Sequence, residues 1–130
     1  MASEPKVDEE SAAAEVVRIC EAYHVETDVS VMGKDEHKAF AANFASAKRA
    51  VMLGKLELGD DGLASFTSGN VSLKFAKPTG EAFIAMDGHD GTFKRGNAAI
   101  RQLTGAKPGV VEGLPAKDWQ ALFSLVNLFL

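Results

Sequence analysis

The stretch KLELGDDGLASFTSGNVSLKF, residues 55–75, decides the fold of this chain. Apolar and polar residues alternate on both sides of the turn-forming segment at 59–62, and alternate again after a second such segment at 68–70. A period of two is typical of strands that bury one face, and glycine beside aspartate or asparagine supplies the backbone angles of hairpin turns. The stretch therefore predicts a three-stranded antiparallel meander. Because one face of that sheet is apolar, a layer of helices must cover it.

Two helices are predicted before the meander, within residues 11–53. The first begins near Ser11 and repeats apolar residues at intervals of three and four: Ala13, Val16, Val17, Cys20 and Tyr23. The second is expected to begin with Asp35 as its N-cap. It carries one apolar face, made of Phe40, Phe44, Ala47 and Val51. Between the two helices, residues 25–31 alternate and predict a short strand or an extended linker.

Three helices are predicted after the meander. Thr79 is expected to cap a short helix that holds Phe83, Ile84 and Met86. Thr92 is expected to cap the next helix, which has one apolar side made of Phe93, Ile100 and Leu103 and is closed by Gly105. Pro115 suits the first turn of the last and longest helix.

These elements predict an α+β fold with two N-terminal helices, a three-stranded antiparallel meander and three C-terminal helices packed on the sheet. Residues 11–130 are expected to form a single domain, with a helical N-terminal part at 11–53 and a second part at 55–130. A chain of 130 residues, 46% hydrophobic and 25% charged, has the length and composition of one globular domain.

The charged residues are unevenly distributed. Residues 1–36 carry a formal charge of −7 and residues 37–130 carry +3. Residues 1–10 are small, acidic and polar, which predicts a disordered N-terminus. The basic residues of the body are dispersed instead of clustered on one stripe, so a nucleic-acid partner is not expected.

The expected location is the cytoplasm. A single cysteine, Cys20, cannot form an internal disulfide and suits a reducing compartment. The N-terminus lacks the basic and apolar regions of a secretory leader, and no window has the roughly 18 to 20 apolar residues that a membrane span needs. We therefore expect no membrane partner.

No motif in the chain predicts catalysis, a cofactor or a metal site. Asp87, His89 and Asp90 lie in a glycine-rich loop, but their spacing differs from that of a calcium-binding loop and favours a solvated turn. Cys20 and His24 share a helical face, yet no second pair at zinc-site spacing follows them. The glycine-rich segments lack the Lys-Ser/Thr of a phosphate-binding loop. The chain is accordingly expected not to be an enzyme.

The end of the chain is unusually apolar. One stripe of the last helix carries Trp119, Leu122, Val126 and Phe129, and Phe123, Leu125, Leu128 and Leu130 widen it past a single face. Such a helix either lies in the core or exposes part of its surface to another protein. All eight residues are candidates for binding a partner, with the central stripe expected to be core.

The order of motifs in residues 55–130 resembles that of the phage tail assembly chaperones. The meander is followed by Pro78-Thr79-Gly80, then by Ile100-Arg101-Gln102-Leu103-Thr104-Gly105 at the end of a helix, then by a Pro-x-Val-Val spacer at 108–111. Leu114-Pro115 and Asp118-Trp119 come next, before the apolar end. Each motif is a common cap or helix pattern, and their shared order carries the resemblance.

The resemblance implies a protein without enzymatic activity that binds and shields the tape-measure protein, or another virion tail protein, in the bacterial host cytoplasm. A homo-oligomer is compatible with that role. Two other classes remain open. A structural subunit of the tail tube or connector would use the meander as its assembly edge, and a bacterial small-molecule-binding domain would use the loop at 87–91 beside its pocket.

Overall fold

The computed structural model describes residues 6–130 and confirms the α+β fold class and the order of helices, sheet and helices. Five α-helices and three strands lie in this part of the chain. Their bounds are α1 Glu9–Ala22, α2 Lys34–Met52, β1 Leu56–Leu58, β2 Ala64–Ser68, β3 Val71–Phe75, α3 Gly80–Met86, α4 Thr92–Thr104 and α5 Ala116–Phe129.

The sheet is the predicted antiparallel meander, with strand order β1-β2-β3. Leu56 pairs with Phe66, and Phe66 pairs with Leu73, so the three side chains form one row across the sheet. All three are buried, as the alternation requires. Gly69, in the tight turn between β2 and β3, has a φ of +56°, which glycine adopts without steric cost.

The N-terminal segment is more ordered than predicted. The carboxylate of Asp8 accepts a hydrogen bond from the backbone N–H of Ser11 and caps α1, which begins at Glu9. The backbone N–H groups of Lys6 and Val7 both donate to the carbonyl of Met52 at the end of α2. Helix α1 thus begins two residues before the predicted Ser11, and residues 1–5 of the segment predicted to be disordered lie outside the described residues.

The connection between α1 and α2 also differs from its prediction. Residues 25–31 form no strand, because the Asp28 carboxylate accepts from the backbone N–H of Ser30 and caps a 3₁₀ turn at Val29–Val31. The N-cap of α2 is Gly33, and Asp35 lies in the first helical turn, where its charge suits the positive end of the helix. The alternation in this segment thus reflects a capped turn with exposed valines.

Both halves of the chain build one core. The α1 and α2 helices pack on each other and on β1, α4 packs on β3, and α5 packs against α2 and α4. The Tyr23 hydroxyl donates to the Phe75 carbonyl at 2.5 Å and accepts from the Ala64 N–H at 2.7 Å. The Tyr23 ring stacks on Phe129, with centroids 4.2 Å apart. The sheet is therefore covered by the N-terminal helices as well as by the C-terminal ones.

One buried carboxylate ties α5 to the sheet. Asp118 accepts from Lys55 Nζ at 2.6 Å and from Ser68 Oγ at 2.5 Å, so both of its oxygens are satisfied. Burial raises the pKa of Asp118, but the hydrogen bonds from Lys55 and Ser68 and the positive charge of Lys55 outweigh it, and the net shift is downward. Asp118, in the first turn of α5, thus joins this helix to the sheet.

Within residues 6–130, no helix combines the length and the apolar character that crossing a bilayer requires.

Candidate functional site

The structure divides the eight candidate partner-binding residues of α5 into two groups. Five are buried in the core: Leu122, Leu125, Val126, Leu128 and Phe129. Trp119 and Phe123 are half-buried, and Leu130 is 37% exposed. The wide apolar surface of the last helix is therefore mostly explained by its contacts with neighbouring helices. The accessible remainder is Trp119 in the first turn of the helix, Phe123 in its middle and Leu130 at its end.

Trp119 lines an open groove of about 730 Å³ beside α4 and the start of α5, called here the α4–α5 groove. Side chains of α4, of the turn before α5, of α5 itself and of the loop at 87–91 line it. They are His89, Phe93, Lys94, Asn97, Ala98, Arg101, Glu112, Leu114, Ala116, Trp119 and Gln120. Sequence patterns did not identify this groove, because its walls come from segments far apart in the chain.

Three aromatic rings, Phe93, Trp119 and Phe123, form an aromatic cluster, and the first two of them line this groove. Trp119 and Phe123 stack with centroids 5.3 Å apart, and Phe93 meets them edge-on or tilted at 5.9 and 5.6 Å. Phe93 is 67% exposed. Its expected place on the buried side of α4 with Ile100 and Leu103 is wrong, because it lies in the first helical turn, where it covers the edge of α5.

Gly96 makes the close contact between α4 and α5 possible. A Cβ atom at this position would overlap Cε1 and Cδ1 of the Phe123 ring. Glycine in a helix interior costs about 1 kcal/mol relative to alanine, so its presence here is explained by the space that the ring occupies. The glycine thereby fixes Phe123, and with it the stacked Trp119, against α4.

A chain of hydrogen bonds orients the polar side of the groove. Trp119 Nε1 donates to Asn97 Oδ1 at 2.9 Å, and Asn97 Nδ2 donates to Glu112 Oε2 at 3.2 Å. A hydrogen bond from its own backbone N–H lowers the pKa of Glu112, and Asn97 and the charge of Arg101 act in the same direction against burial. The Glu112 carboxylate is therefore charged at neutral pH and already has hydrogen-bond partners.

The groove carries more positive than negative charge. Lys94 and Arg101 line it together with His89, against the single carboxylate of Glu112. Among the described residues, neither Lys94 nor Arg101 has a carboxylate within 4.0 Å. Arg101 Nε is buried and finds no hydrogen-bond partner in that part of the chain. The groove thus combines exposed aromatic surface with unpaired cations.

A second apolar surface lies on α3. Phe83 is 56% exposed and Ile84 is 74% exposed, while Ala82 on the opposite side is buried. The short helix predicted to hold these apolar residues therefore presents two of them to solvent. Neither lines the α4–α5 groove.

The residues considered for metal binding remain apart. Within residues 6–130, no group of three or more His, Cys, Asp or Glu side chains is placed to hold a metal ion. Cys20 is fully buried, and burial together with the charge of Glu21 raises its pKa to about 11, so the thiol is protonated at neutral pH. His24 is exposed and adopts a φ of +56°.

Comparisons of the chain with models of protein families, with curated proteins and with solved structures found no match.

Proposed function

We propose that this chain is a tail assembly chaperone that holds an apolar helical segment of the tape-measure protein in the α4–α5 groove. The observation that carries the proposal is the exposed ring of Phe93 beside Trp119 and Phe123 at the mouth of that groove. Aromatic anchors that line a groove are typical of sites that bind an amphipathic helix. Shielding by binding needs no chemistry, so the proposed activity is non-enzymatic and uses no cofactor.

The segments that resemble the chaperone family also frame the groove. The motif at 100–105 forms the end of α4, where Gly105 adopts a φ of +67° as the C-terminal cap. The spacer at 108–111 leads into the turn that places Glu112 and Leu114, and Trp119 in the last motif forms part of the wall. Several of the residues that carry the resemblance therefore lie around the proposed binding site.

A structural tail subunit that assembles through the meander is less well supported. The outer strand β1 has only three residues, and the N–H of Leu58 donates to the Glu15 carboxylate at 3.1 Å. Short edge strands whose groups are already engaged are poor templates for adding another strand. The β1 edge therefore gives little support to a subunit that polymerises through the sheet, and the other edge strand, β3, has five residues.

A small-molecule-binding domain stays as the second candidate, because His89 of the loop at 87–91 lines the same groove. A metabolite that binds the folded protein raises its melting temperature by mass action. Thermal-shift measurements with a metabolite panel therefore separate the two candidates, and a strong shift with one compound would favour the second.

The test of the chaperone proposal is co-expression with the tape-measure protein encoded near this chain. We expect a soluble complex that is absent from finished tails. Phe93→Ser should weaken the complex at least about tenfold, as expected for the loss of an aromatic anchor. Phe83→Ser is the matched control, because it removes an exposed phenylalanine that does not line the groove.

Three outcomes would contradict the proposal. The first is no complex with the tape-measure protein, or a gene neighbourhood without tail genes. The second is this chain as a stoichiometric component of purified tails, which would indicate a structural subunit. The third is an equal loss of binding in Phe83→Ser and Phe93→Ser, which would place the contact outside the groove. Thermal melts of both free variants show whether the fold is intact.

A further inference from the structure

We infer that the α4–α5 groove selects an acidic amphipathic helix, with apolar residues on the aromatic cluster and carboxylates opposite Lys94 and Arg101. This inference rests on the proposed function in one respect, namely that the groove is a docking site for a helix. It adds the chemistry of the occupant, which the resemblance of the motifs does not specify.

The first argument for an acidic helix is the charge of the groove. Two cations and an imidazole face one carboxylate, and that carboxylate already accepts from Asn97 Nδ2 and lies in the field of Arg101. A basic helix in this place would leave like charges together, whereas an acidic helix would neutralise them. Charge complementarity therefore favours carboxylates over ammonium groups in the occupant.

The second argument for an acidic helix is the spacing of the two cations. Lys94 and Arg101 are seven residues apart on α4, which places them on one side of the helix about 10.5 Å apart along its axis. A helix lying roughly along α4 would match them with two carboxylates that are also seven residues apart. The guanidinium of Arg101 has no carboxylate partner within the described residues, so an incoming carboxylate would neutralise its charge.

A second copy of this chain fits the groove less well. Among the described α-helices, the most exposed apolar side chains outside the groove are Phe83 and Ile84 of α3. That helix has seven residues and contains one acid, Glu81. It cannot present two helical carboxylates seven residues apart. The occupant we propose is therefore a longer helix from another protein.

Three synthetic peptides test the inference. They share a helix-forming sequence of about 18 residues with one Leu/Phe stripe, and differ only at two flanking positions seven residues apart, which hold Glu, Gln or Lys. Trp119 is the single tryptophan of the chain and lies in the groove, so its fluorescence reports binding of peptides that lack tryptophan. At low salt we expect the Glu peptide to bind about tenfold more tightly than the Lys peptide, with the Gln peptide between them. The difference should shrink at about 0.5 M salt, since ions screen exposed pairs.

Charge-reversal variants assign the effect to the groove. Lys94→Glu should reverse the preference, so that the Lys peptide binds more tightly than the Glu peptide. Lys107→Glu makes the same change on an exposed lysine that does not line the groove, and should leave the order unchanged. Arg101→Gln should weaken the Glu peptide and spare the Gln peptide. Thermal melts of each variant confirm that the fold is retained.

Equal affinity of the wild-type chain for the Glu and Lys peptides would overturn the inference, as would an equal response to Lys107→Glu and Lys94→Glu. Self-association in sedimentation that both Ile84→Ser and Phe93→Ser abolish would assign the groove to a second copy instead. The experiments distinguish a failure of the chaperone proposal from a failure of the inference about charge. A tape-measure complex with no charge preference among the peptides rejects only the inference. A clear charge preference without a tape-measure complex rejects only the chaperone function.

Discussion

At the scale of single residues, Gly96 has the clearest physical role. Helix propensity favours alanine at a helix-interior position by about 1 kcal/mol, so a glycine there needs a reason from packing. The reason is the Phe123 ring, which occupies the space of a Cβ atom and is itself held between Trp119 and Phe93. Because its neighbours restrict the ring, it cannot move aside without disturbing the groove.

Gly96→Ala should therefore destabilise the protein, by about 1 to 3 kcal/mol from overpacking that outweighs the gain in propensity. Chemical denaturation followed by circular dichroism measures the change, and a shift in Trp119 emission would show that the aromatic cluster has moved. Gly80→Ala is the matched control, since a Cβ atom at that helical position meets nothing within 4 Å. If Gly96→Ala were as stable as Gly80→Ala, the ring would not be confined as described.

At the scale of the elements, α5 shows how an apolar helix is divided between core and surface. Its contacts with α2 on one side and α4 on another bury five of its eight candidate residues. Trp119, Phe123 and Leu130 stay partly accessible to solvent. The helix is therefore mainly a core element that contributes one wall to the α4–α5 groove.

Two leucines of α5 test this division. Leu125→Ala should cost about 2 to 5 kcal/mol, because the side chain is fully buried and leaves a cavity. Leu130→Ala should cost less than about 1 kcal/mol, because that side chain is partly exposed at the end of the chain. The free energy of unfolding from urea titration measures both. Similar losses for the two variants would contradict the burial of Leu125.

The elements also show where sequence patterns mislead. Phe93 follows the same helical periodicity as Ile100 and Leu103, yet it lies one turn beyond the core and is exposed. The valines at 29 and 31 alternate like those of a strand, but a local cap from Asp28 satisfies the backbone instead. Periodicity reports which residues share a face, and it does not report how far the opposing layer extends.

At the scale of the whole molecule, two polar side chains join the N-terminal helices, the sheet and α5. Tyr23 of the α1 end hydrogen-bonds to backbone groups of β2 and β3, and Asp118 of α5 hydrogen-bonds to Lys55 and Ser68 at the sheet. Buried groups that are fully satisfied restrict how layers can be packed. The Tyr23 contacts cross from the part at 11–53 to the part at 55–130, and the two parts share one core.

Asp118 gives a prediction for the dependence of stability on pH. Its folded pKa lies below the ordinary value of 3.8, so its stabilising effect is fully present above that value and is lost as the pH falls through the lower folded pKa. Asp118→Asn should cost about 1.5 kcal/mol at neutral pH, and the difference from wild type should shrink below about pH 4. Melting temperatures between about pH 2 and pH 7 measure this, with Asp60→Asn in an exposed turn as the control. A difference that stays constant down to the lowest pH would contradict the role of the charged carboxylate.

The sequence by itself determined the features that depend on neighbours in the chain. These are the meander and its turns, the cap at Thr79, the end of α4 at Gly105 and the apolar face of α5. Only the tertiary structure decided which parts of those faces stay open, because exposure depends on the elements that pack opposite them. The α4–α5 groove is the clearest case: Gly96 and Phe123 set the approach of two helices, and that approach leaves Phe93, Trp119 and the two cations on one surface.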